Sequence, residues 1–531
     1  MRRPDAMRPC LSTLNPALRR AAASQTLLGT RSPPPCPPQS DRVSEERTLL
    51  AGTAANVVGL VAGVLAALGV QVLLGHTLAP GGFGAVTVAV QVAFVAAAGS
   101  RFGMDMAAIR LVAIARGASD VGHLRSLVDR CALVASAASV VFAGALAAAA
   151  PLFGPYERVI ALSALGLPFI AVTNVYLGAT RGLGQMRQTL YVFWIGQPVV
   201  WILIAAAAIS AGGGTDAAVL AYAGSWIPSA LAARMLWRRE ATGFGDRAAT
   251  SEETRSAIRY GLPRAPAGLL AQAVFWADLW VLAAFERGTP LDAYSAAARI
   301  SQVLLLFLTS LNLVFSPFAA DLHARGERER LDELFKRSTR WALAATLPLL
   351  IVLFVAADDV LHAFSGRFEA GQTALRILLV GQALNVATGS VGFVLIMTGY
   401  TGLDLIDNVI GTALLIGLAA GLTVAFGIEG TAAAAAISTV ALKLLRLAQV
   451  RRRVGIQPYE RDYARLALPA GASAVAALAA HLALRDAPWW ISLTGTTVAG
   501  LVAYLALTPA ALPERERDVL AARAAKLVGR S

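Results

Sequence analysis

Two ionisable residues lie deep inside long apolar segments. Asp278 is about seven residues from the end of the segment 262–285, and Arg299 is about six residues from the start of the segment 293–319. At 1.5 Å per residue, both lie about 10 Å deep in neighbouring antiparallel helices. A charge at that depth is costly unless it is paired or faces water. Arg299 is therefore a candidate cavity cation for an anionic group, with Asp278 as its counter-charge or as a proton or cation coupling site. The alternative is a structural ion pair.

A second group of charged residues collects at the opposite ends of the apolar segments. Such residues could ring a mouth that captures an anionic headgroup. Basic residues are also retained at the inner ends of spans by the positive-inside rule, which is the alternative explanation. The group consists of Arg101, Asp105, Arg110, Arg181 and Arg264.

The remaining polar residues give no pattern of a metal or cofactor site. The three cysteines form no CxxC pair, the five histidines lack metal-ligand spacing, and no GxxxxGK[ST] phosphate loop occurs. Asp358, Asp359 and Arg376 lie near the ends of apolar segments, where we expect them to serve structure. We therefore predict no metal site and no cofactor.

The composition indicates that lipid is the solvent of this chain. Of its 531 residues, 56% are hydrophobic and 15% are charged, and the mean hydropathy is +0.61. The formal net charge is +13, but the basic residues form short clusters between apolar runs. A nucleic-acid site would need a basic stripe interleaved with aromatic residues, so we predict no nucleic-acid partner.

Crossing a membrane takes about twenty mainly apolar residues per helix. This rule predicts an all-α integral membrane protein with about fourteen transmembrane helices. The predicted spans are 49–74, 83–101, 131–153, 159–180, 190–211, 216–236, 262–285, 293–319, 341–363, 373–398, 404–426, 429–449, 466–484 and 489–508.

The basic residues of the connecting loops predict that both termini are cytoplasmic. With that orientation the basic clusters fall on the inner side, and only Arg158, Arg287, Arg367 and Arg485 fall in outer loops. Residues 1–44 are predicted to be a disordered, basic and proline-rich cytoplasmic tail, and 511–531 a second cytoplasmic tail.

An internal repeat relates the two parts of the chain at an offset of about 210 to 220 residues. Pro80, Phe83 and Gly84 precede or open the second span, much as Pro290 and Tyr294 do for the eighth. Six spans separate such pairs, so both copies have the same orientation. We predict an N-lobe (45–240, spans 1–6) and a C-lobe (255–455, spans 7–12). These pseudo-symmetric six-helix lobes surround a central cavity, with spans 13 and 14 added in 460–510.

Ordered sequence segments carry a family resemblance over about residues 48–458. They are LAPGGFG at 78–84, GATRGLGQMRQ at 178–188, YGLPRAPAGLL at 260–270, WADLWVLAAF at 276–285, DAYSAAARISQ at 292–302, SPFAADLHA at 316–324, ILLVGQALNVATGSVGFVLIMTG at 377–399 and GIEGTAAAAAIS at 427–438. With these segments the chain resembles the polysaccharide or O-antigen flippases (Wzx type). These flippases are members of the multidrug/oligosaccharidyl-lipid/polysaccharide (MOP) exporter superfamily.

The resemblance implies a non-enzymatic transporter of the bacterial cytoplasmic membrane that acts in cell-surface polysaccharide or lipopolysaccharide biosynthesis. It would flip a lipid-linked oligosaccharide, usually on an undecaprenyl diphosphate carrier, to the outer leaflet by alternating access. Arg299 would then face the diphosphate or an acidic sugar. The implied partners are this substrate, membrane lipids, a proton or sodium ion for coupling, and polysaccharide assembly proteins.

Three other functions compete with this one. A multidrug or metabolite antiporter often uses an acidic residue in its first helix, where this chain has Asn56. A peptidoglycan-precursor flippase would carry a dense run of cavity arginines in spans one to three, which is not found. A multi-span glycosyltransferase or polymerase needs substantial outer loops for its catalytic carboxylates, and the predicted outer loops are short.

Overall fold

The computed structural model describes residues 59, 61–118, 121–245, 247–262 and 264–511. Within these ranges the chain forms helices and no strands, which confirms the predicted all-α fold class. The two predicted tails, apart from Ala511 at the start of the second, and the first residues of the first predicted span lie outside the described residues. Following the predicted orientation, we call the end that carries residues 75–84, 285–292 and 365–372 the outer end.

The first half of the described chain contains eight long or medium helices and an amphipathic linker helix. A 3-10 turn (Ala150–Tyr156) follows α4, and the short helix Arg187–Thr189 and a π-helical stretch (Leu190–Gly196) precede α7. The helices are α1 (Val61–Thr77), α2 (Gly82–Ser100), α3 (Met104–Ala118), α4 (Leu124–Ala149), α5 (Glu157–Ala164), α6 (Leu167–Gly182), α7 (Gln197–Ser210), α8 (Thr215–Glu240) and the linker helix α9 (Ser251–Gly261).

The second half continues with ten helices. Short 3-10 turns precede α15 and α18 at Gly366–Gly371 and Arg461–Leu466. The helices are α10 (Arg264–Phe285), α11 (Thr289–Gln302), α12 (Leu305–Arg325), α13 (Arg328–Val355), α14 (Ala357–Phe364), α15 (Gln372–Ala387), α16 (Val391–Met397), α17 (Thr401–Arg453), α18 (Ala467–Ala483) and α19 (Trp489–Ala511).

The longest helix, α17, is interrupted at Gly427. Its 53 residues would make a straight helix of about 80 Å, far longer than the ~30 Å hydrocarbon core. Gly427 has φ +59°, a left-handed conformation that a residue with a Cβ adopts at a cost, and the helical geometry is broken there. The arms 401–426 and 428–453 therefore match the predicted spans 404–426 and 429–449.

Seven helical segments are long and apolar enough to cross a membrane, and nine if two bent pairs each count as one span. The bends are 42° between α11 and α12 and 41° between α15 and α16. Two of the seven segments, Leu124–Ala164 and Gly402–Arg453, are 41 and 52 residues long. Each contains a break in helical geometry, at Gly154 and at Gly427. The predicted span 216–236 lies in α8, which fails the same criterion. The structure confirms a multi-pass membrane protein, whereas the count of fourteen stays a prediction.

The buried side chains form a core that both halves share, and separate cores at the inner end. The shared core joins Val70 and Phe83 of the first half to Tyr294 and Phe368 of the second. At the inner end, one core surrounds Trp237 and includes residues of α3, α4, α6 and α9, while another surrounds Phe335. The outer ends of the two halves are thus packed against each other. The boundaries of the two lobes stay a prediction.

The linker helix α9 connects the two halves at the inner end. Its N-cap is Thr250, whose Oγ1 accepts a hydrogen bond from the Glu253 backbone N–H, while the Glu253 carboxylate accepts one from the Thr250 backbone N–H. This backbone hydrogen bond, together with the contact from Arg247, lowers the pKa of Glu253 to about 2. The cap fixes where α9 begins.

Candidate functional site in the second half

Asp278 lies on α10 and accepts a hydrogen bond from Tyr294 of α11. The Tyr294 hydroxyl is 2.7 Å from Asp278 Oδ2, and the Tyr294 side chain is fully buried. The hydrogen bond satisfies one carboxylate oxygen and links the two antiparallel helices. A carboxylate held by a hydroxyl within an apolar layer remains available to a cation or a proton on its other side.

Arg299 is held by an aromatic ring. Its guanidinium carbon lies 4.3 Å from the centroid of the Trp276 ring, a cation–π distance. The Arg299 Nε is buried and has no hydrogen-bond acceptor among the described residues. Tyr222 of α8, in the first half, is within electrostatic range of Arg299. Arg299 therefore lies toward the first half with donor capacity to spare.

Asp278 and Arg299 do not form a direct ion pair in the part of the chain that the structure describes. Each has its own aromatic neighbour, Tyr294 for the carboxylate and Trp276 for the guanidinium. The sequence predicted that the two charges could pair because both lie about 10 Å below the same membrane surface. In the structure the partners are aromatic side chains instead, and the depth stays a prediction.

Asp278 borders a small cavity inside the second half that has both apolar and polar lining residues. The cavity has a volume of about 170 Å³ and lies among α10, α11, α15 and both arms of α17. Buried atoms without a described hydrogen-bond partner include Asn385 Oδ1 and Ser438 Oγ, while Asn385 Nδ2 donates to Gln382 Oε1 at 2.9 Å. Oxygen atoms around a carboxylate are suitable ligands for a hard monovalent cation or for a protonated water. Its polar lining consists of Asp278, Ser301, Gln302, Gln382, Asn385, Ser438 and Thr439.

The predicted inner mouth is brought together in part. Arg101 Nε lies 3.5 Å from Asp105 Oδ2, and Arg181 of α6 is within electrostatic range of both residues. Arg181 Nε donates to the Leu177 carbonyl one turn earlier at 3.3 Å. These three charges therefore share one region of the first half.

The other two predicted mouth residues are placed differently. Arg110 stacks on Tyr260 of the linker helix α9, with its guanidinium carbon 4.3 Å from the ring centroid. The Arg264 side chain lies outside the described part of the chain. Arg110 thus contacts the linker helix.

A buried charge network at the inner end of the second half was not predicted from the sequence. Arg446 Nη2 donates to Asp404 at 2.7 Å and to Asn408 at 3.0 Å, and its Nε lies 3.5 Å from Asp407. Asp407 is fully buried, and its Oδ1 accepts a hydrogen bond from Gln449 at 2.7 Å. The spacing of Asp404, Asp407 and Asn408 puts all three on one face of a helix, which is the signal that could have revealed it.

The outer end is closed by polar contacts between the two halves. The Asp292 carboxylate on α11 accepts hydrogen bonds from the backbone N–H groups of Gly81 and Gly84, at 2.7 and 2.6 Å. Arg367 donates to the carbonyl oxygens of Gly75 and Leu78, at 3.1 and 2.8 Å. Asp292 is therefore an anion at the N-terminus of a helix from the other half, a favourable charge–dipole contact.

Near the outer ends of α14, α18 and α19, His481 lies between two carboxylates. Its Nε2 is 3.6 Å from Asp358 Oδ2, and its Nδ1 is 3.5 Å from Asp359 Oδ2. One possible metal-ligand atom from each of the three residues lies within 4.8 Å of the other two. We predicted no metal site because the histidines lack metal-ligand spacing along the sequence. That spacing does not show that His481 lies beside Asp358 and Asp359 in the fold. Arg376 donates to the Phe354 carbonyl at 3.1 Å, as a structural residue does.

Comparison with known protein families identifies the class of the chain. The polysaccharide biosynthesis protein family model matches residues 49–323, just over half of the sequence. The chain belongs to the polysaccharide biosynthesis protein family. A second family model, MatE, matches residues 263–427. The resemblance read from the ordered segments is thereby confirmed at the family level.

One curated relative and several solved structures are similar to this family member. The probable low-salt glycan biosynthesis flippase Agl15 of Haloferax volcanii is 23% identical over 164 residues, which cover 31% of this chain and 35% of that protein. The chain thus matches only about a third of the length of that relative.

The solved structures show the fold of this member of the polysaccharide biosynthesis protein family. A lipid II flippase MurJ in an inward closed conformation has a TM-score of 0.68 at 13% identity, covering 88% of this chain and 100% of that chain. A multidrug resistance MATE family transporter of the MOP superfamily, in an inward-facing conformation, has a TM-score of 0.60 at 16% identity, covering 74% and 94%. Both solved structures are membrane transporters, and at this identity they show that the chain shares their fold.

Proposed function

We propose that this transporter flips a lipid-linked oligosaccharide, carried on an undecaprenyl diphosphate, across the bacterial cytoplasmic membrane by alternating access between two lobes. The observation that carries the proposal is Arg299, a buried guanidinium that has an unused Nε donor and stacks on Trp276. Arginine donates in a planar fork that fits phosphate oxygens, and an adjacent aromatic face suits a sugar ring. The buried Trp276 and Trp280 indole N–H groups, which have no acceptor among the described residues, could serve sugar hydroxyls.

The closed outer end supports the same cycle. In this state Asp292 and Arg367 join the two halves at the outer side, so a substrate would enter from the inner side. Release to the outer leaflet then requires these contacts to break. The inner-mouth group of Arg101, Asp105 and Arg181 would meet an anionic headgroup before it reaches Arg299.

The polar groups of the cavity beside Asp278 support coupling to a proton or a sodium ion. A carboxylate that faces unpartnered oxygen atoms can take up either cation. This cavity lies in the second half, which agrees with the absence of an acidic residue at Asn56 in the first predicted span. A cation-coupled antiporter for drugs or metabolites is the second candidate function that this cavity favours.

Complementation of a glycan-export defect tests the proposal. We expect Arg299→Ala to abolish export while its amount in the membrane stays at the wild-type level, because the diphosphate loses its cation. Arg299→Lys should keep partial export, since a lysine retains the charge without the fork. Arg376→Ala is the matched control, because among the described residues the Arg376 side chain hydrogen-bonds the Phe354 carbonyl and no other group. Normal export by the Arg299→Ala variant would contradict the proposal.

A further inference from the structure

A basic cavity lies at the inner end of the first half, away from Arg299 and Asp278. It has a volume of about 640 Å³ and sits between the start of α4 and the end of α8. The proposed transport path does not use it. Its lining residues are Arg125, Ser126, Asp129, Arg130, Leu133 and Arg238.

Contacts with neighbouring elements hold the walls of this cavity in place. The Tyr176 hydroxyl of α6 donates to Asp129 Oδ1 at 2.7 Å, which fixes the acidic side chain at the back. Arg125 donates to the Ala241 carbonyl at 2.7 Å, and the Ala249 backbone N–H donates to Ser126 at 2.9 Å. The cavity is therefore formed before any ligand enters, which lowers the entropic cost of binding.

The cavity carries a surplus of positive charge with unused donors. Three arginines and one aspartate line it, so the net charge of the lining is 3 − 1 = +2. Arg238 Nη2 lies 3.9 Å from Asp129 Oδ2, beyond hydrogen-bond distance. Across the residues that the structure describes, neither Arg130 nor Arg238 donates a hydrogen bond, and both side chains are exposed. The site suits a ligand with negatively charged oxygen atoms.

The surroundings place the cavity at the depth of lipid headgroups. Leu133, in its wall, is 69% exposed, and Val141 further along α4 is 70% exposed. On α8, Met235 is 60% exposed. Apolar side chains this exposed in a membrane protein face hydrocarbon. Arg130 lies only about 4.5 Å along the helix axis from Leu133, so the cavity spans the boundary between acyl chains and headgroups.

We propose that this cavity binds the phosphate of an anionic phospholipid from the leaflet on its side of the membrane. Arg130 and Arg238 donate to the phosphate oxygens, and the acyl chains run along Leu133 and Met235. The arginine forks recognise the phosphate, and the net charge of the lining favours a lipid without a compensating ammonium group. The bound lipid bridges α4 and α8 on the outside of the first half, so the site is independent of which substrate is transported.

Native mass spectrometry of the purified full-length protein tests this proposal. The probes are phosphatidylglycerol and phosphatidylcholine with identical acyl chains. We expect wild-type protein to retain phosphatidylglycerol in preference. In the double variant Arg130→Gln/Arg238→Gln, the apparent affinity for phosphatidylglycerol should fall by about tenfold or more, to the level of phosphatidylcholine. Unchanged preference in a variant that elutes as the wild type does would overturn the proposal.

A matched control removes the same charge elsewhere. Arg255→Gln/Arg259→Gln alters two exposed arginines of the linker helix α9, outside the cavity, and should leave the lipid preference intact. An equal loss in this control would show that general surface charge, and not the cavity, holds the lipid. Arg130→Lys/Arg238→Lys keeps the charge and should keep most of the preference, which shows that a loss in the glutamine variant is not a folding defect.

The source of the phosphate is tested by competition. Inorganic phosphate added at the same concentration should not displace phosphatidylglycerol, because it lacks the acyl chains. Undecaprenyl phosphate should compete no better than phosphatidylglycerol itself. Preferential displacement by undecaprenyl phosphate would assign the cavity to the carrier of the transported substrate and overturn the phospholipid proposal.

Discussion

The hydrogen bond from Tyr294 is the contact that anchors the Asp278 carboxylate. Replacing Tyr294 by Phe leaves one buried carboxylate oxygen without its donor, which costs about 1 to 3 kcal/mol. We therefore expect Tyr294→Phe to lower the unfolding temperature of the purified protein. Asp278→Asn should reduce the effect of Tyr294→Phe in a double-mutant cycle, because the desolvated charge is gone. The control Tyr191→Phe changes an exposed side chain and should have no effect. Additive effects of the two substitutions would contradict a direct contact.

Asp278 should also determine how the protein responds to cations. A cation that binds only the folded state raises the unfolding temperature by mass action. We expect the wild type to unfold at a higher temperature in sodium chloride than in choline chloride of equal ionic strength, if sodium is the coupling ion. If the ion is a proton, the unfolding temperature of the wild type should instead be higher at the lower of two pH values. Asp278→Asn should abolish either response. A response that persists in Asp278→Asn would place the cation elsewhere.

Asp407 is the most deeply buried carboxylate of the inner network in the second half. Asp407→Ala removes a charge partner of Arg446 and the acceptor of Gln449, which should destabilise the protein by about 3 kcal/mol. Chemical unfolding in mixed micelles measures the change. The exposed pair of Asp321 and Arg325 provides the control, because Asp321→Ala should cost less than about 1 kcal/mol. Equal effects of the two substitutions would show that burial of the network contributes nothing.

At the scale of a helix, Gly427 separates the two arms of α17. Its φ of +59° lies in the left-handed region, where an alanine Cβ costs about 1 to 2 kcal/mol. We expect Gly427→Ala to lower the unfolding temperature. Gly417 lies within one arm at an ordinary helical conformation with open space around it, so Gly417→Ala should be neutral or stabilising. The same thermal scan compares both variants, and a neutral Gly427→Ala would argue against a reversal at this residue.

The length of the apolar segments was enough to predict the helical fold and the two arms of α17. The inner helices α3 and α9 were not predicted as separate elements, because their polar residues fall between the apolar segments used to find spans. The bends after α11 and α15 were missed, since neither carries a proline at the break. Segment patterns thus give the helices, whereas their breaks depend on packing.

The sequence indicated which charged residues form the candidate site, but it did not indicate their partners. Residue counts placed Asp278 and Arg299 at one level of the membrane, and that depth stays a prediction. Tyr294 and Trp276 became partners because of the rotation of α10 against α11, which no spacing rule fixes. The contact from Asp292 to Gly84 spans 208 residues, so it depends on how the two halves dock.

For the whole molecule, the outer closure should control which side of the membrane is accessible. Asp292→Asn weakens two charge-assisted hydrogen bonds, each worth about 1.5 to 3 kcal/mol, so the ratio of closed to open molecules should fall by roughly tenfold or more. Spin labels at Ala79→Cys and Ala370→Cys, both exposed outer positions, report the separation of the halves in a background without native cysteines. We expect longer distances in the variant.

The control for this measurement is Asp216→Asn. Asp216 lies at the same outer end and pairs with Arg158 inside the first half, so its loss should leave the distance distribution unchanged. An unchanged distribution in Asp292→Asn would show that apolar packing, such as that of Phe83 against Phe368, closes the outer end without the carboxylate.

The folded-back form of α17 has a consequence for how the protein is made. A lone arginine or aspartate costs about 2.5 to 3.5 kcal/mol when a nascent helix enters the bilayer. In 401–453, Arg446 meets Asp404 and Gln449 meets Asp407 across one reversal at Gly427, so the charges and their partners belong to the same hairpin. If the two arms enter the bilayer together, Arg446 and Asp404 are paired within that unit. The pairing inside the hairpin thus offsets part of the insertion cost without a contact from another described helix.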